Sequence, residues 1–459
     1  MEGFHKNPNK MNRLIFREYD VRGVADRDLD DATVKNLGLG YATRLIHTGG
    51  KSMVLGRDVR LSSPRLHDAL LEGLTAAGLQ VIDLGIVPTP LLYFAIVHLK
   101  VDGGIMITGS HNPPEFNGFK LNIGSDSLYG AEIQDLYSLI ETGKFESGQG
   151  NVRSYDIIPE YKAYLKANLK IDEPIRLVMD CGNGCGGLVA PDLFRDLGCL
   201  VEAMYCEPDG NFPNHHPDPT ITANLDELIH QTKKMGYDLG IAYDGDADRI
   251  GVVDDTGNIL WGDQLLILFS RAILKKHPGA TIIGEVKCSQ NLYNDIEQKG
   301  GKPIMWKTGH SLIKKKMKEE NALLAGEMSG HVFFNDRYFG FDDAIYATGR
   351  LLELLCEEAR PLSQLLWGLP TMYTTPEIRI ECPDEIKFEL VQKVSEYFKS
   401  EYKVVNVDGV RVIFDDGWGL IRASNTQPVI VMRFEASSED RLHDIRSLME
   451  RKLEEFKQS

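Results

Sequence analysis

Short β-branched runs alternate with longer amphipathic stretches along most of this chain. Ser52 to Gly56 predicts a strand, Leu61 to Ala77 a helix and Leu79 to Leu84 a second strand. Gly103 to Thr108 predicts a buried strand that runs into a polar loop. The rhythm returns at Ile175–Asp180, Tyr237–Ala242 and Thr281–Val286, each followed by a loop rich in Gly, Asp or Lys. Such alternation predicts α/β domains with helix-covered sheets. From about Pro370 the texture changes. There the pattern predicts strands at Thr375–Glu381, Val410–Phe414, Gly419–Ala423 and Val429–Ala436, a helix around Pro383–Tyr402 and a final helix, which is an α+β arrangement.

Boundaries follow from punctuation. Thr142 to Asn151 is Gly-rich and polar, Asp254–Asn258 is a hairpin-type turn, and Pro361 to Pro370 precedes the tail. The expected division is 1–155, 156–257, 258–369 and 370–459, three α/β units and one α+β unit. In such sheets ligands sit beyond the carboxyl ends of the strands, so the chemistry belongs in the loops that follow them. No fixed-period sequence repeat is visible.

Length agrees with that division, since 459 residues exceed what one hydrophobic core organises. The net charge of −16 argues against a nucleic-acid partner, because a phosphate backbone would meet a repulsive field. No apolar run approaches the roughly 20 residues of a membrane span, and no apolar segment follows the basic residues near the N-terminus as a secretory signal requires. Seven scattered cysteines fit reduced thiols better than a disulfide framework. A monomeric cytoplasmic protein without nucleic-acid or membrane partners is expected.

Four loops carry candidate chemistry. In Thr108-Gly-Ser-His-Asn-Pro-Pro, Gly109 permits a sharp turn and Pro113-Pro114 stiffens it, presenting Ser110 on a rigid platform. The glycines of an α/β-hydrolase elbow are missing, which removes the usual acyl-transfer signature. In Asp244-Gly-Asp-Ala-Asp-Arg, three carboxylates at alternate positions follow an apolar strand and can converge on one hard cation. An EF-hand needs Gly and Glu where this chain has Arg249 and Asp255. Three carboxylates leave the shell open to another oxygen donor, which suits Mg²⁺ shared with a substrate phosphate.

The third loop, Gly326-Glu-Met-Ser-Gly-His, offers Glu327 and Ser329 to neighbouring sugar hydroxyls, with His331 able to move a proton near neutral pH. The fourth, Arg422-Ala-Ser-Asn-Thr-Gln-Pro, packs a guanidinium, hydroxyls and an amide into a set that matches a phosphate dianion. Taken alone, each loop also fits a solvated polar turn. Gly182 to Gly187 satisfies G-x-G-x-x-G after a strand, with Glu202 about 20 residues on, and supports a dinucleotide-dependent oxidoreductase as the rival reading. His215-His216 between prolines suits a rigid loop better than a tetrahedral metal site.

Together the four loops resemble those of the α-D-phosphohexomutase family, most nearly its branch acting on both mannose and glucose phosphates. Phe16–Gly23, Gly56–Arg60, Phe212–Pro219, Lys287-Cys-Ser and Lys307-Thr-Gly-His310 extend the resemblance over nearly the whole chain. It implies three similar mixed-sheet α/β domains and a C-terminal α+β domain around a central cleft. It implies a Mg²⁺-dependent exchange between hexose 6-phosphate and hexose 1-phosphate, with a hexose 1,6-bisphosphate as intermediate and activator. Ser110 would carry the phosphoryl group and share a Mg²⁺ with Asp244, Asp246 and Asp248. Arg22, Lys120, Arg249, His310 and His331 would surround the reacting hydroxyl, with His331 or Lys120 as the acid/base. Tyr19, Lys287, His310 and Met328 would touch substrate, Glu327 and Ser329 would hold the ring 3- and 4-hydroxyls, and Arg422, Ser424, Asn425 and Thr426 would clamp the other phosphate. Met328 matches the dual branch, where amino-sugar relatives carry Gln. Ala247 departs from a more frequent Gly. The resemblance makes the Gly182 loop and the histidine pair structural. A non-catalytic sugar-phosphate binder is the remaining alternative.

Overall fold

The computed structural model describes residues 11–425 and 427–458. Thr426 therefore lies outside the described residues. The chain forms two compact units. The first holds the residues up to Leu260 together with Ser329–His331 and Phe341–Leu362; the second holds Trp261–Met328, Val332–Gly340 and the chain from Ser363 onward.

Three α/β/α domains with mixed sheets are followed by a C-terminal domain with an antiparallel sheet. The three mixed sheets share one topology. In the first, Ser52–Arg57 lies between Gln80–Ile86 and Gly103–Ile107, parallel to both, and Phe116–Ile123 adds antiparallel to Gly103–Ile107. In the second, Arg176–Asp180, Leu200–Met204 and Leu239–Tyr243 are the parallel strands and Ile250–Asp254 the antiparallel one. In the third the parallel strands are Thr281–Glu285, Lys302–Trp306 and Leu324–Gly326, with Val332–Phe334 antiparallel. Each domain thus has a repeated four-strand core. In every one, the third strand turns back through a loop into the antiparallel fourth. Those three loops carry Ser110, the aspartates and Glu327 through His331.

Local sequence explains the elements. Helix Ser63–Ala76 starts with proline in its first turn and buries Leu66, Leu70 and Leu74 at helical spacing. The core of the first domain gathers Leu37, Tyr41, Leu55, Leu70, Ile105 and Phe119. In the fourth domain, Val410–Phe414, Gly417–Ala423 and Val429–Ala436 pair antiparallel. Helices Asp384–Glu401 and Glu439–Gln458 cover them through Val394, Phe398, Met449 and Leu453. One expected strand is shifted and broken: in place of Thr375–Glu381, Tyr373–Thr374 and Ile378–Glu381 pair with Val429–Ala436. Pro376 between them lacks the N–H a continuous ladder needs. Among the described residues, no helix is long and apolar enough to cross a membrane.

Candidate active site

Ser110 is held from behind. It is buried and its φ is 48°, a left-handed conformation that a non-glycine residue adopts only when its surroundings impose it. The surroundings are Arg60 and Asp58. The buried Arg60 guanidinium donates to the carbonyls of Ser110 (2.8 Å), Asn112, Pro113 and Phe116 (3.0 Å). Asp58 accepts the Gly109 N–H at 2.9 Å. Gly109 must be glycine, since a Cβ there would stand 2.3 Å from the Arg60 guanidinium.

The Ser110 hydroxyl donates to Asp244 Oδ2 at 2.8 Å and lies 3.1 Å from His111 Nδ1. Burial, followed by Arg249 and Arg22, holds His111 well below the ordinary histidine range. Asp244, Asp246 and Asp248 are fully buried, and one oxygen from each lies within 4.8 Å of the others. Asp244 Oδ1 accepts the N–H groups of Asp248 and Arg249, at 3.1 and 3.2 Å, which curls the loop around that carboxylate. Ala247 sits at φ 56°, a left-handed position that favours glycine.

One lysine offsets part of the charge in this loop. Lys120 projects from Phe116–Ile123 and donates to Asp246 Oδ2 at 2.7 Å and to Asp248 Oδ2. Burial works against its ammonium, but Asp246 and Asp248 raise it well above the usual lysine range. Asp246 is likewise penalised by burial, yet Lys120 holds it below the ordinary carboxylate range. Asp244 is pushed well up, by burial first and then by Asp248 and Asp246. Asp246 Oδ1 and Asp248 Oδ1 are buried and accept no hydrogen bond. An all-oxygen set with two such atoms and a serine hydroxyl alongside fits a hard divalent cation.

A second acidic group, Asp248, His331 and Asp342, also has metal-like spacing. Here Arg249 Nε donates to His331 Nε2 at 3.0 Å, so the ring proton belongs on Nδ1, which faces Asp342 Oδ2 at 3.2 Å. That arrangement orients an imidazole; it does not offer it to a metal. Arg22 pairs with Asp20 at 2.6 Å. Tyr19 is half-buried, and Ser329 belongs to the first unit with His331.

In the second unit, fully buried Glu285 ends its strand and organises three loops. It accepts from Lys287 N (3.1 Å), Thr308 Oγ1 (2.6 Å) and Met328 N (3.3 Å). Lys287 Nζ donates to Glu377 at 3.0 Å and lies 3.7 Å from Glu285. Burial would lower this lysine, but the two carboxylates raise it, and Lys287 in turn draws Glu377 down to about 2. Glu327 accepts the Gly309 N–H at 3.1 Å, and His310 begins the next helix. Arg422 donates to Asp408 at 2.9 Å, and Asp408 also accepts Thr308 N at 3.1 Å. Ser424 Oγ accepts Gln427 N at 3.1 Å, and Asn425 follows it in the same turn.

The glycine-rich rival is filled by protein. Cys185 N donates to Gly245 O at 2.9 Å, and a Cβ at Gly187 would stand 1.8 Å from the Cys206 carbonyl oxygen. His215 bonds Asp180 at 2.9 Å and His216 bonds the His111 carbonyl. These glycines and histidines brace the aspartate and serine loops. Sequence reasoning missed Glu285, Asp342, Asp408 and Glu377. The only available signal was a carboxylate ending or following an apolar run.

A buried serine beside an acidic, all-oxygen cluster that could hold a cation, on repeated α/β/α cores, fits a phosphoryl-transfer enzyme. Family models agree in chain order: phosphoglucomutase/phosphomannomutase alpha/beta/alpha domain I matches residues 13–147, domain II 159–257, domain III 261–373 and the C-terminal domain 377–452. A phosphomannomutase/phosphoglucomutase of Pseudomonas aeruginosa is 47% identical over 96% of this chain and 95% of its own. A phosphoglucomutase of Neisseria gonorrhoeae is 44% identical over 95% and 96%. The crystal structure of a phosphoglucomutase/phosphomannomutase family protein from Burkholderia thailandensis superposes with a TM-score of 0.92 at 44% identity, covering 98% of each chain. The chain belongs to the phosphoglucomutase/phosphomannomutase family. It is a phosphohexomutase, an enzyme that interconverts hexose phosphates. The oxidoreductase reading is overturned.

Proposed function

We propose that the chain exchanges the 6- and 1-phosphates of glucose and mannose through phospho-Ser110 and a hexose 1,6-bisphosphate. The observation that carries this reading is the Ser110 hydroxyl, 2.8 Å from a buried aspartate triad and fixed by Arg60 at a strained backbone position. In the first step the phosphoserine P–O bond breaks as a sugar hydroxyl oxygen bonds to phosphorus, and that hydroxyl's proton passes to a base. In the second, Ser110 Oγ bonds to the phosphorus of the other phosphate, the sugar O–P bond breaks, and the base takes the Ser110 proton while the freed sugar oxygen gains one. Such transfers depend on positioning and charge neutralisation.

Asp244, Asp246 and Asp248 would hold a Mg²⁺, which would supply charge neutralisation at the transferring phosphate. Lys120, kept protonated by its ion pairs, serves as a fixed positive charge, so His331 is the better base. To take the proton its Nε2 must release the hydrogen bond from Arg249, and Asp342 Oδ2, 3.2 Å from Nδ1, favours the imidazolium that forms. Arg22 and Arg249 add positive charge. Glu327 and Ser329 hold sugar hydroxyls, Tyr19, Lys287, His310 and Met328 are further substrate contacts, and Arg422, with Ser424, Asn425 and Thr426, binds the phosphate that stays. The relatives named for both sugars, together with Met328, support dual specificity. Thiols at all seven cysteines support a reducing, cytoplasmic setting.

Intact mass and peptide mapping test the reading. Ser110 should carry one phosphate that incubation with glucose 6-phosphate removes, and Ser110→Ala should lose turnover of glucose 1-phosphate and mannose 1-phosphate by about a thousandfold or more. Unchanged turnover in Ser110→Ala would sink the phosphoserine mechanism.

A further inference from the structure

Cys181 and Cys206 lie 25 residues apart in sequence, yet their sulfur atoms stand 3.1 Å apart. The fold makes this contact deliberately. Cys181 follows strand Arg176–Asp180, Cys206 lies two residues beyond strand Leu200–Met204, and these strands pair in parallel with Asp180 opposite Met204. Cys181 N continues the ladder to Met204 O at 3.1 Å. Regular alternation would send the next side chains to opposite faces. Tyr205 breaks it at φ 49°, turning Cys206 back toward Cys181. Tyr205 is itself pinned, by its hydroxyl on Glu227 and its ring edge against His215 at 5.6 Å.

We propose that Cys181 and Cys206 form an oxidisable dithiol whose bridging weakens the aspartate loop. Cys206 is partly exposed and Cys181 fully buried, so a small peroxide reaches Cys206 first. The Cys206 thiolate attacks one peroxide oxygen, the O–O bond breaks, and hydroxide leaves a sulfenic acid. Cys181 sulfur then attacks the Cys206 sulfur, the S–O bond breaks, and water leaves with the Cys181 proton. Two thiols are oxidised to one disulfide and one hydrogen peroxide is reduced to two waters.

Bridging matters because the segment after Cys181 supports the proposed metal ligands. Closing the sulfurs from 3.1 Å to about 2.05 Å fixes the torsions of both side chains and loads the backbone on which they stand. The loop after Cys181 is closely packed. The Cys206 carbonyl abuts Gly187, Gly184 packs on the Gly245 backbone, and Cys185 N donates to Gly245 O at 2.9 Å. The load is therefore passed to Gly245, inside the Asp244–Asp248 turn. This consequence rests on the reading of that turn as part of the catalytic site.

The test uses the full chain, reduced, desalted and treated with a small excess of hydrogen peroxide. Non-reducing peptide mapping should find Cys181 linked to Cys206, with the other five thiols still alkylated. Amide exchange at Asp248 and Arg249 should speed up, and turnover of glucose 1-phosphate should fall about tenfold or more, with recovery in dithiothreitol. Cys206→Ser should form no bridge and keep its turnover under peroxide. Absence of the linked peptide overturns the proposal, as does a bridge that leaves exchange and turnover unchanged. Failure of the Ser110 test would leave the peptide and exchange readings intact, so the two ideas fail separately.

Discussion

Glu285 contributes no atom to the proposed chemistry, yet it joins three loops of the second unit. Its two oxygens accept from Lys287 N, Thr308 Oγ1 and Met328 N, fixing three loops at once. Glu285→Gln keeps shape and removes charge, which forces an amide N–H₂ against one set of these donors. A buried donor left unpaired costs about 1–3 kcal/mol, so the variant should unfold at lower urea. It should also raise KM for glucose 1-phosphate, by roughly tenfold if about 1.4 kcal/mol appears in binding, with kcat changed less. A change in kcat alone would contradict a positioning role. Ser110 and the three aspartates were legible in sequence because their chemistry is local, packed into two short loops. Glu285 was not, because its partners lie 23 and 43 residues away. Arg249 and His331, 82 residues apart, were each visible but their pairing was not.

Each repeated core ends its first strand on a buried carboxylate. Asp58 follows Ser52–Arg57, while Asp180 and Glu285 close Arg176–Asp180 and Thr281–Glu285. Each accepts the N–H two residues on, from Arg60, Gly182 and Lys287 respectively. Each also reaches a loop from elsewhere: Gly109 N, His215 and Met328 N. The strands themselves were legible to within a residue or two, since apolar runs bounded by turns are local signals. The shared carboxylate device was not, because its use depends on where another loop falls. Two predictions belong at this scale. Gly187→Ala should destabilise by about 1–3 kcal/mol, read as a lower thermal midpoint, because the Cys206 carbonyl occupies the Cβ position. NAD should leave both proteins' midpoints unchanged. The second concerns His215. Burial would lower its pKa, but the Asp180 hydrogen bond raises it above the ordinary histidine value. A raised folded-state pKa means that this stabilisation is complete below the ordinary value and is lost as pH climbs through the raised one. Thermal midpoints taken across that window should fall in the wild type and stay flatter in His215→Asn. Equal slopes would remove His215 from the account.

On the scale of the molecule, hydrophobic patterning showed three α/β units and an α+β tail but no repeat. What the three cores share is strand order and a returning hairpin, which many sequences satisfy. Evolution of side chains can erase a sequence period while hydrogen-bonded topology persists. Net charge behaves similarly. The −16 describes the whole surface, whereas the cations of the proposed chemistry are local: Arg22, Lys120 and Arg249 stand in the first unit, and Lys287 and Arg422 in the second. This division predicts that metal and sugar phosphate act on different amides. Asp244 is destabilised as a carboxylate by burial and by its two aspartate neighbours. A divalent cation relieves that repulsion only in the native loop, and a ligand bound solely to the native state adds about 2.7 kcal/mol at a hundred times its Kd. Mg²⁺ alone should therefore slow exchange at Asp248 and Arg249, whose amides bond Asp244. It should leave Thr308 and Gly309 unchanged, whose amides bond Asp408 and Glu327. Glucose 1-phosphate without metal should slow the Thr308 and Gly309 pair instead. Exchange at Asp248 and Arg249 that ignores Mg²⁺ would remove the aspartate triad as the metal site.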